Sequence, residues 1–342
     1  MDEKPSVTVL YDAAEDIEKA KAEKENKPFP LAYAQVADAL EKRGYRVQTV
    51  AATKNIRSLV ATIEKDTSDV TFNLCEAIAS SAQHEHNVVG LLELFQKCFT
   101  GSGSVGWLLA GNKARCKKIF QFHGIRYPRF CMFENGKVEW ADELDFPLIV
   151  KPLNEDASIG IDKGSVVNNV KELLERISYI QEEFHGETLV EEFIEGREIY
   201  VGLLGNDKPE AFPIVEWDFS KVNDSPKIAG SEAKWDRDSE GYKAPVVFPE
   251  DIPKDVVQNI QSAAIAAYQA LELSGYARVD MRLRPPGGSR PWECFVIEVN
   301  PNCWLEKRGE FAAAARKHGL SYPELLEKII SLALASRRPI KT

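Results

Sequence analysis

The segment from Gly275 to Asn302 constrains this chain most, because GYARVDMRLRPPGGSRPWECFVIEVNPN predicts two strands joined by a Pro/Gly-rich turn. Alternate side chains share one face of a strand. If the strands pair antiparallel, one cationic and three oxygen-bearing side chains converge on a single face: Arg278, Asp280, Glu298 and Asn300. Such oxygens are the hard ligands that Mg²⁺ takes in proteins. The hairpin therefore predicts a metal site.

The same residues permit a second interpretation, in which Arg278 neutralises buried Asp280 and Glu298 as a structural ion pair. The four polar residues alone leave both interpretations open. Four apolar residues alternate with them and are expected to anchor the opposite face of the hairpin in a core: Val279, Met281, Ile297 and Val299.

Length and composition predict a globular protein of two or three domains, since 342 residues with 44% hydrophobic content are ample for a core. The net charge of −10 argues against nucleic acid or an anionic membrane as the main partner, because either would require a basic surface. Local cations must then hold any phosphate group.

The N-terminus lacks the apolar region of a signal peptide, and no later apolar run is long enough to span a bilayer. We therefore expect a soluble, cytoplasmic protein.

The cysteines form no CxxC pair and no His/Cys spacing typical of a metal site. We expect reduced and mostly buried thiols at positions 75, 98, 116, 131, 294 and 303. Cys303 alone lies beside the candidate site. We interpret it as a bystander rather than a nucleophile, because no His accompanies it in the sequence.

Strands and helices alternate from Val7 to about Thr100, which predicts a small parallel sheet covered by helices. The expected strands are Val7–Tyr11, Arg46–Val50, Val70–Leu74 and Cys98–Thr100, and the expected helices are Leu31–Arg43 and Val88–Lys97. In open α/β sheets, ligands bind in the loops that follow the carboxyl ends of parallel strands. The loops after these strands are therefore candidate binding segments.

Two polar segments follow strands of this sheet. The charged stretch 12–27 is expected to form a solvated helix or loop. Its position nevertheless makes Asp12, Glu15 and Asp16 candidates to meet a substrate amine. The segment 84–86, His-Glu-His, follows the third strand, and its spacing is only a weak indication of a metal site.

A second unit begins near Gly111. Its expected elements are a helix Lys113–His123 capped by Asn112, and strands Pro128–Phe133, Phe146–Pro152 and Thr188–Phe193. Lys151 ends a buried apolar strand, where a cation requires a partner or a ligand. Ser158 and Gly160 lie at a turn that could present backbone N–H groups to phosphate.

A third unit follows a long charged loop. Residues 218–244 show no clear periodicity and include Lys234 and Trp235; loops of this length are usually functional or disordered. The expected helices beyond the loop are Asp255–Leu273, Glu310–His318 and a final helix after Ser321, which forms a capping box with Glu324.

Five motifs occur in a fixed order: VKP with a Ser-x-Gly loop, VEEFIEGRE, KW in the long loop, GYARVD and EVNPN. In this order they resemble the ATP-grasp superfamily, and specifically its D-alanine–D-alanine ligase-like branch. FNLCE at 72–76 and TGSG at 100–103 extend the similarity to nearly the whole chain. The resemblance implies an α/β fold, α+β in the ATP-binding part, with three domains. These are an N-terminal parallel-sheet domain at 1–110 and two ATP-grasp subdomains at 111–200 and 201–342, with a lid loop at 218–244.

The resemblance also implies a role for individual residues. The implied phosphate-binding residues are Lys113, Lys151 and, from the loop, Lys234. The implied adenine hinge is Glu191, Glu192, Phe193 and Ile194, and the implied ribose ligand is Glu198. The implied ligands of Mg²⁺, with Mn²⁺ as a possible substitute, are Asp280, Glu298 and Asn300. The implied catalytic residues are Arg278, which faces the reacting carbonyl, Lys234 and Ser158.

The activity implied by the family is ATP-dependent ligation of a carboxylate to an amine. A carboxylate is unreactive toward amines because its oxygen is a poor leaving group, whereas γ-phosphoryl transfer gives an acyl phosphate that can react. Mg²⁺ and the three lysines would supply positive charge where negative charge develops. Arg278 could stabilise the tetrahedral oxyanion by about 3 kcal/mol. This context favours the metal interpretation of the hairpin over the structural ion pair.

The sequence departs from the family in the substrate pockets. The first strand is followed by YDAAED instead of a Gly-rich segment whose glutamate holds the first amine. Ala157 replaces a supporting serine, and Trp235 replaces a tyrosine. PNCWLEKRGEF replaces the Gly and Ser segment that binds the second carboxylate, and its Trp304 favours a larger or flatter substrate. Residues 307–308, Lys-Arg, could pair a carboxylate or form a solvated turn.

Three hypotheses therefore stand. The first is a carboxylate–amine ligase with altered substrates, acting on small molecules that are expected to be amino acids, with no nucleic-acid or membrane partner and a homodimer as a possible assembly. The second is genuine D-alanine–D-alanine ligation for peptidoglycan. The third is a non-catalytic nucleotide-binding or regulatory protein.

Overall fold

Three sheets with covering helices follow one another along the chain. The computed structural model describes residues 3–24, 31–78, 84–134, 137–141, 143–153, 158–221, 228, 230, 239 and 244–336. Ala157, Lys234 and Trp235 lie outside the described residues, as does most of the expected lid loop. Among the described helices, none combines the length and apolarity that crossing a bilayer requires.

The first sheet is parallel, as expected, with the order β2-β1-β3. It consists of β1 (Ser6–Asp12), β2 (Arg46–Ala52) and β3 (Val70–Leu74). Every residue of β3 is buried, which is typical of a parallel strand covered on both faces. The helices of this part are α1 (Ala14–Lys24), α2 (Ala32–Lys42), α3 (Ile56–Lys65), α4 (Glu85–Leu94) and α5 (Ser104–Ala110). The charged stretch after β1 therefore begins as a helix.

The prediction of a regular strand at Cys98–Thr100 is wrong. A single parallel bridge joins Thr71 to Phe99. The chain then turns at Gly101, whose φ of +89° suits a residue without Cβ. The helix α4 also begins and ends three residues earlier than expected.

The second sheet is antiparallel and has the order β5-β4-β8-β6-β7. Its strands are β4 (Phe130–Glu134), β5 (Lys137–Ala141), β6 (Leu148–Pro152), β7 (Val166–Val167) and β8 (Thr188–Glu192). The helix α6 (Lys113–Phe122) precedes it, and the Asn112 side chain accepts the backbone N–H of Arg115 at 2.9 Å, which confirms the expected cap. The helix α7 (Val170–Phe184) packs on the sheet through Ile177 and Ile180 and was not expected from the sequence.

The third sheet has the order β12-β11-β9-β13-β14, with β10 beside β9. Its strands are β9 (Arg197–Leu204), β10 (Glu210–Ala211), β11 (Val215–Trp217), β12 (Val246–Val247), β13 (Tyr276–Arg284) and β14 (Glu293–Asn300). The helices are α8 (Lys254–Ala270), α9 (Glu310–Lys317) and α10 (Tyr322–Ala335). Ser321 and Glu324 form the predicted capping box at the start of α10.

The antiparallel pairing of β13 with β14 is confirmed. Arg278 lies opposite Asn300, and Asp280 lies opposite Glu298. The one cation and the three oxygen-bearing side chains are therefore neighbours on adjacent strands, as the alternation of the two strands predicts.

A β-bulge follows this pairing and changes the apolar face of the hairpin. Beyond Asp280 the register slips, so that Met281 lies opposite Val296 and Ile297 becomes the extra residue of β14. Val296 is fully buried in the core, whereas half-buried Ile297 lines a cleft. The expectation that Ile297 anchors the core is therefore wrong, because one inserted residue reverses the face to which it belongs.

One hydrophobic cluster joins the first sheet to the C-terminal helices. It includes Val9 of β1, Phe72 of β3, Tyr276 of β13, Phe311 of α9 and Leu325 of α10. This shared core brings the carboxyl end of β1 and the start of α9 to the region where the hairpin presents its polar residues.

Candidate active site

A cleft between the second and third sheets contains most of the predicted site residues. The predicted residues that line it are Lys151, Ser158, Glu191, Glu192, Phe193, Ile194, Glu198, Asp280 and Glu298. Lys113 and Arg278 contact residues that line the cleft. Lys113 Nζ lies 4.0 Å from Glu298 Oε1, and Arg278 forms an ion pair with Asp280. Lys234 lies outside the described residues, so its place in the site stays a prediction.

A buried charge cluster lies at the base of the cleft. Glu191 is 1% exposed and stands between two ammonium groups, Lys117 at 2.8 Å and Lys151 at 2.7 Å. Lys117 also donates to the carbonyl of the bulged residue Ile297 at 3.1 Å. Burial raises the pKa of Glu191, but the two lysines outweigh burial and hold the pKa below its ordinary value. Burial lowers the pKa of Lys151, and Glu191 opposes this change.

Three lysines are buried at the base of the cleft. Lys113, Lys117 and Lys151 are each at most 4% exposed, and the carboxylates they approach are Glu191 and Glu298. Buried charges are tolerated only when they are paired. Three ammonium groups at the base of one cleft suit an anionic ligand, and phosphate oxygens fit this requirement.

The candidate metal ligands form an incomplete set by themselves. Among the described residues, no cluster of three His, Cys, Asp or Glu side chains could hold a metal ion. The hairpin offers two carboxylates, Asp280 and Glu298, with the amide of Asn300 beside them. Mg²⁺ usually takes one or two carboxylates and completes its octahedron with waters and substrate phosphates. The oxygen set therefore fits Mg²⁺ that arrives with a nucleotide.

Arg278 is bound to one of these carboxylates. Its Nε and Nη2 donate to the two oxygens of Asp280 at 2.7 and 2.8 Å. Its guanidinium also lies over the ring of Tyr200, 5.0 Å from the centroid. The ion pair between Arg278 and Asp280 that the sequence allowed is thus present. It also holds the guanidinium of Arg278 next to the candidate metal ligands.

The candidate adenine hinge is braced by an arginine that the sequence analysis missed. Arg282 is 7% exposed and donates to the carbonyls of Ile194 at 3.1 Å and Gly196 at 3.0 Å. It also donates to Glu198 at 3.3 Å, and Tyr200 Oη donates to the same carboxylate at 2.7 Å. These donors fix the orientation of the carboxylate that is predicted to bind ribose.

The Ser-x-Gly loop makes a tight turn at the mouth of the cleft. Ser158 and Gly160 have positive φ values of 62° and 73°. Ile161 N–H donates to the Ser158 carbonyl at 3.0 Å, and Arg176 donates to the Gly160 carbonyl at 2.9 Å. The turn therefore places Ser158 at the cleft, where it is predicted to contact phosphate.

Acidic residues gather at the carboxyl end of β1. The rings of Tyr11 and Tyr33 stack with centroids 3.7 Å apart, and both hydroxyls donate to Asp16 at 2.9 and 2.8 Å. Burial, and then the charges of Asp12 and Asp16, raise the pKa of Glu15 to about 7. A carboxyl group in this environment would gain from a cation nearby.

The raised pKa of Glu15 predicts a pH-dependent stability. A carboxyl whose pKa is higher in the folded state stabilises the fold below its unfolded value of 4.5, and this contribution is lost as the pH rises through about 7. Glu15→Gln should therefore raise the free energy of unfolding at pH 8 by on the order of 2 kcal/mol, and change it little at pH 4. Urea unfolding at the two pH values measures this difference, and equal effects at both would contradict the raised pKa.

The three sheets, the cleft between two of them and its buried cations define an ATP-grasp protein. The family described as D-ala D-ala ligase C-terminus matches residues 119–331. The chain belongs to this D-alanine–D-alanine ligase family, whose members are ATP-dependent ligases. The sequence-based predictions of the family, of the fold class and of an ADP-forming ligase are confirmed.

Similar proteins cover nearly the whole chain. A protein of Sinorhizobium fredii, y4sG, is 30% identical over 318 residues, which cover 90% of this chain and 89% of that protein. The D-alanine–D-alanine ligase of Desulforudis audaxviator is 30% identical over 87% of this chain and 91% of its own length. The crystal structure of D-alanine–D-alanine ligase from Bacillus anthracis complexed with ATP matches with a TM-score of 0.74 and 21% identity, over 98% of this chain and 99% of that chain.

Two buried cations of the site were missed although the sequence carried a signal for each. Lys117 lies four residues after Lys113, so the two share one face of α6. Arg282 continues the alternation of Arg278 and Asp280 along β13. The same spacings are common among lysines and arginines exposed to solvent. Only their burial in the folded protein shows that Lys117 and Arg282 belong to the site.

Proposed function

We propose that this protein is an ATP-dependent carboxylate–amine ligase that forms an amide through an acyl phosphate, with substrates other than two D-alanines. The observation that carries the proposal is that buried Lys151 and Glu191 line the same cleft as Asp280 and Glu298, which lie opposite each other on β13 and β14. Phosphoryl transfer needs positive charge and hard oxygen ligands around one group. The family membership supplies the reaction class, and the related ligases are named for joining D-alanine.

Each side chain would have a distinct part in this reaction. Lys113 and Lys151 would hold phosphate oxygens, and residues 191–194 with Glu198 would bind the nucleoside. Asp280, Glu298 and Asn300 would hold Mg²⁺, which when bound neutralises phosphate charge and orients the γ-phosphoryl group. Arg278 would release part of its contact with Asp280 and donate to the carbonyl oxygen of the acyl group. Lys234 and Ser158 would reach the terminal phosphate.

Substrates would be small carboxylates and amines, and the substrate pockets differ from those of the family. Trp304 is 37% exposed, so its indole offers an apolar surface rather than filling the core. The acidic group Asp12, Glu15 and Asp16 at the end of β1 could receive an ammonium group of the acid substrate. We propose a cytoplasmic enzyme, and a homodimer is a possible assembly.

The expected result of a substrate screen is that D-alanine is not the best acid. Hydroxylamine can take the place of the amine and trap any acyl phosphate as a hydroxamate. Purified protein, ATP, Mg²⁺ and hydroxylamine should release ADP and form a hydroxamate with one or more of the D- and L-amino acids, and bulkier acids should exceed D-alanine. Mass spectrometry identifies the products.

Two outcomes of this screen would be decisive against parts of the proposal. If D-alanine gives the highest kcat/KM by a large factor, the argument from Trp304 is wrong and the protein makes D-alanyl-D-alanine. A Trp304→Gly variant should then leave the preference unchanged. If no acid stimulates ADP release, the non-catalytic nucleotide-binding alternative is favoured.

A further inference from the structure

Glu310, the first residue of α9, places a carboxylate beside Arg278 that the family motifs do not include. Its Oε2 lies 3.8 Å from Arg278 Nη1, and its side chain is 21% exposed. Its Oε1 accepts the indole N–H of Trp217 at 3.2 Å. Arg278 uses another edge, Nε and Nη2, to bind Asp280. The guanidinium that is predicted to face the reacting carbonyl therefore stands between a candidate metal ligand and Glu310.

The position of Glu310 is not explained by helix stability alone. An acidic residue in the first turn of a helix is stabilised by the helix dipole, and an exposed side chain is sufficient for this effect. Glu310 is instead partly buried, and its carboxylate is held by the indole of Trp217, which lies on β11 in the third sheet. The indole is a neutral donor, so it fixes the direction of the carboxylate and leaves its charge in place.

The two carboxylates beside Arg278 are paired with it unequally. The buried thiol of Cys303 lies within electrostatic reach of Arg278, Asp280, Glu76 and Glu310. Arg278 binds Asp280 at 2.7 Å, whereas its Nη1 lies 3.8 Å from the Glu310 carboxylate. A carboxylate that is held by a neutral indole and lies 3.8 Å from an arginine can accept a second cation, and the reactant that arrives as a cation at neutral pH is the amine.

We propose that Glu310 binds the attacking amine in its ammonium form and takes one of its protons. This inference rests on the proposed ligase function. An ammonium group has no lone pair, so one N–H bond must break before attack, and the proton passes to the Glu310 carboxylate. The freed electron pair forms the C–N bond at the acyl phosphate carbonyl, whose oxygen is held by Arg278. The C–O bond to phosphate then breaks, phosphate leaves with that electron pair, and the second nitrogen proton leaves with it.

This assignment also defines the class of amine. The carboxylate is an acceptor for an ammonium group, and the ring of Trp217 adjoins it. An amine with a positive charge and an apolar or flat substituent would fit beside Glu310. General base catalysis by a positioned carboxylate contributes about 10²- to 10⁴-fold in rate.

Two nucleophiles of similar size test the assignment. Hydroxylamine is mostly uncharged at neutral pH, whereas ammonium chloride supplies a cation that must lose a proton before it reacts. With an acid identified from the hydroxamate screen, Glu310→Gln should keep the hydroxamate rate within a few-fold of the wild-type rate. The rate of carboxamide formation from ammonium chloride should fall by about 10²-fold or more. Glu310→Asp should lose less of the ammonium-dependent rate than Glu310→Gln.

Two further variants separate catalysis from structure. Trp217→Phe keeps the ring but removes the indole N–H, and it should lower the ammonium rate by a smaller factor than Glu310→Gln. Glu175→Gln is the matched control, because Glu175 is an exposed helix residue of α7, outside the candidate site, and lies 3.8 Å from Lys171. This variant should leave both rates unchanged.

The ratio of the two rates decides the outcome. If Glu310→Gln lowers the hydroxylamine and ammonium rates equally, or lowers neither, Glu310 does not receive the amine. If the Gln variant does not fold, the ratio in Glu310→Asp is measured, and an unchanged ratio overturns the assignment in the same way. If the wild-type protein forms no hydroxamate with any acid, the proposed ligase function fails and this inference fails with it.

Discussion

Asp280→Asn and Glu298→Gln are each expected to lower Mg²⁺-dependent ADP release by about 10³-fold or more, while the protein stays folded. Both substitutions keep the size of the side chain and remove one charged oxygen ligand. The two residues lie opposite each other on adjacent strands at the edge of the cleft, with the amide of Asn300 beside them. A divalent cation held by so few protein oxygens depends on each of them.

The same variants distinguish the metal interpretation from the structural ion pair. If Asp280 serves only to neutralise Arg278, Asp280→Asn should lower the melting temperature and leave turnover near the wild-type level. If it binds metal, turnover should be lost with a far smaller change in stability. ADP release over a Mg²⁺ titration and thermal unfolding measure the two effects. Asp38→Asn is a suitable control because Asp38 is exposed on α2, away from the cleft, and pairs with Lys42 at 2.7 Å. Full activity in both site variants would remove the metal-site proposal.

The sequence predicts the hairpin well because two signals agree. Alternation places Arg278 with Asp280 and Glu298 with Asn300, and the Pro/Gly-rich turn between the strands requires an antiparallel return. The bulge could not be predicted. Phe295, Val296 and Ile297 are consecutive apolar residues, so a slip of one position leaves the hydrophobic pattern unchanged.

Other parts of the site depend on tertiary packing, which a single sequence does not show. Glu310 was expected only as the start of a helix, and its approach to Arg278 depends on the core that joins α9 to the third sheet. Lys117 reads as a residue on the polar face of α6, yet it is fully buried against Glu191. The helix α3 was missed although its apolar residues, Ile56, Leu59, Val60 and Ile63, recur at the helical spacing i, i+3, i+4, i+7 and Asn55 caps it, so here the sequence did carry the signal.

Glu191→Leu is expected to destabilise the protein by about 3–5 kcal/mol, because it removes the carboxylate between two buried ammonium groups. Glu191 is 1% exposed, with Lys117 at 2.8 Å and Lys151 at 2.7 Å. The leucine cannot pair either charge, and each lysine is too deeply buried to be solvated by water. Equilibrium unfolding in urea measures the loss.

Glu192→Leu supplies the matched control, because the next residue of β8 is also a glutamate with cationic partners. Its side chain is 20% exposed and contacts Arg284 at 3.0 Å and Arg129 at 3.5 Å. A partly solvated pair of this kind contributes about 0–1 kcal/mol. If Glu191→Leu costs no more than Glu192→Leu, the buried charge cluster does not stabilise the fold in the way described.

The pH dependence of the Glu191→Leu effect gives a second measurement of the same cluster. The lysines hold the pKa of Glu191 below its ordinary value of 4.5, so the wild-type protein keeps this stabilisation at all higher pH values and loses it as the pH falls below that value. The stability difference between wild type and variant should therefore shrink in acid. It should also shrink as the pH rises, because without Glu191 nothing opposes the effect of burial, which lowers the pKa of Lys151 and lets its ammonium lose a proton.

A triple variant, Lys117→Met with Lys151→Met and Glu191→Leu, should recover part of the stability, since apolar groups of similar size replace the whole cluster. It should nevertheless lose nucleotide binding, because Lys151 lines the cleft where the phosphates are expected. Recovery of stability without recovery of ATP binding would show that the cluster is kept for its ligand and not for the fold.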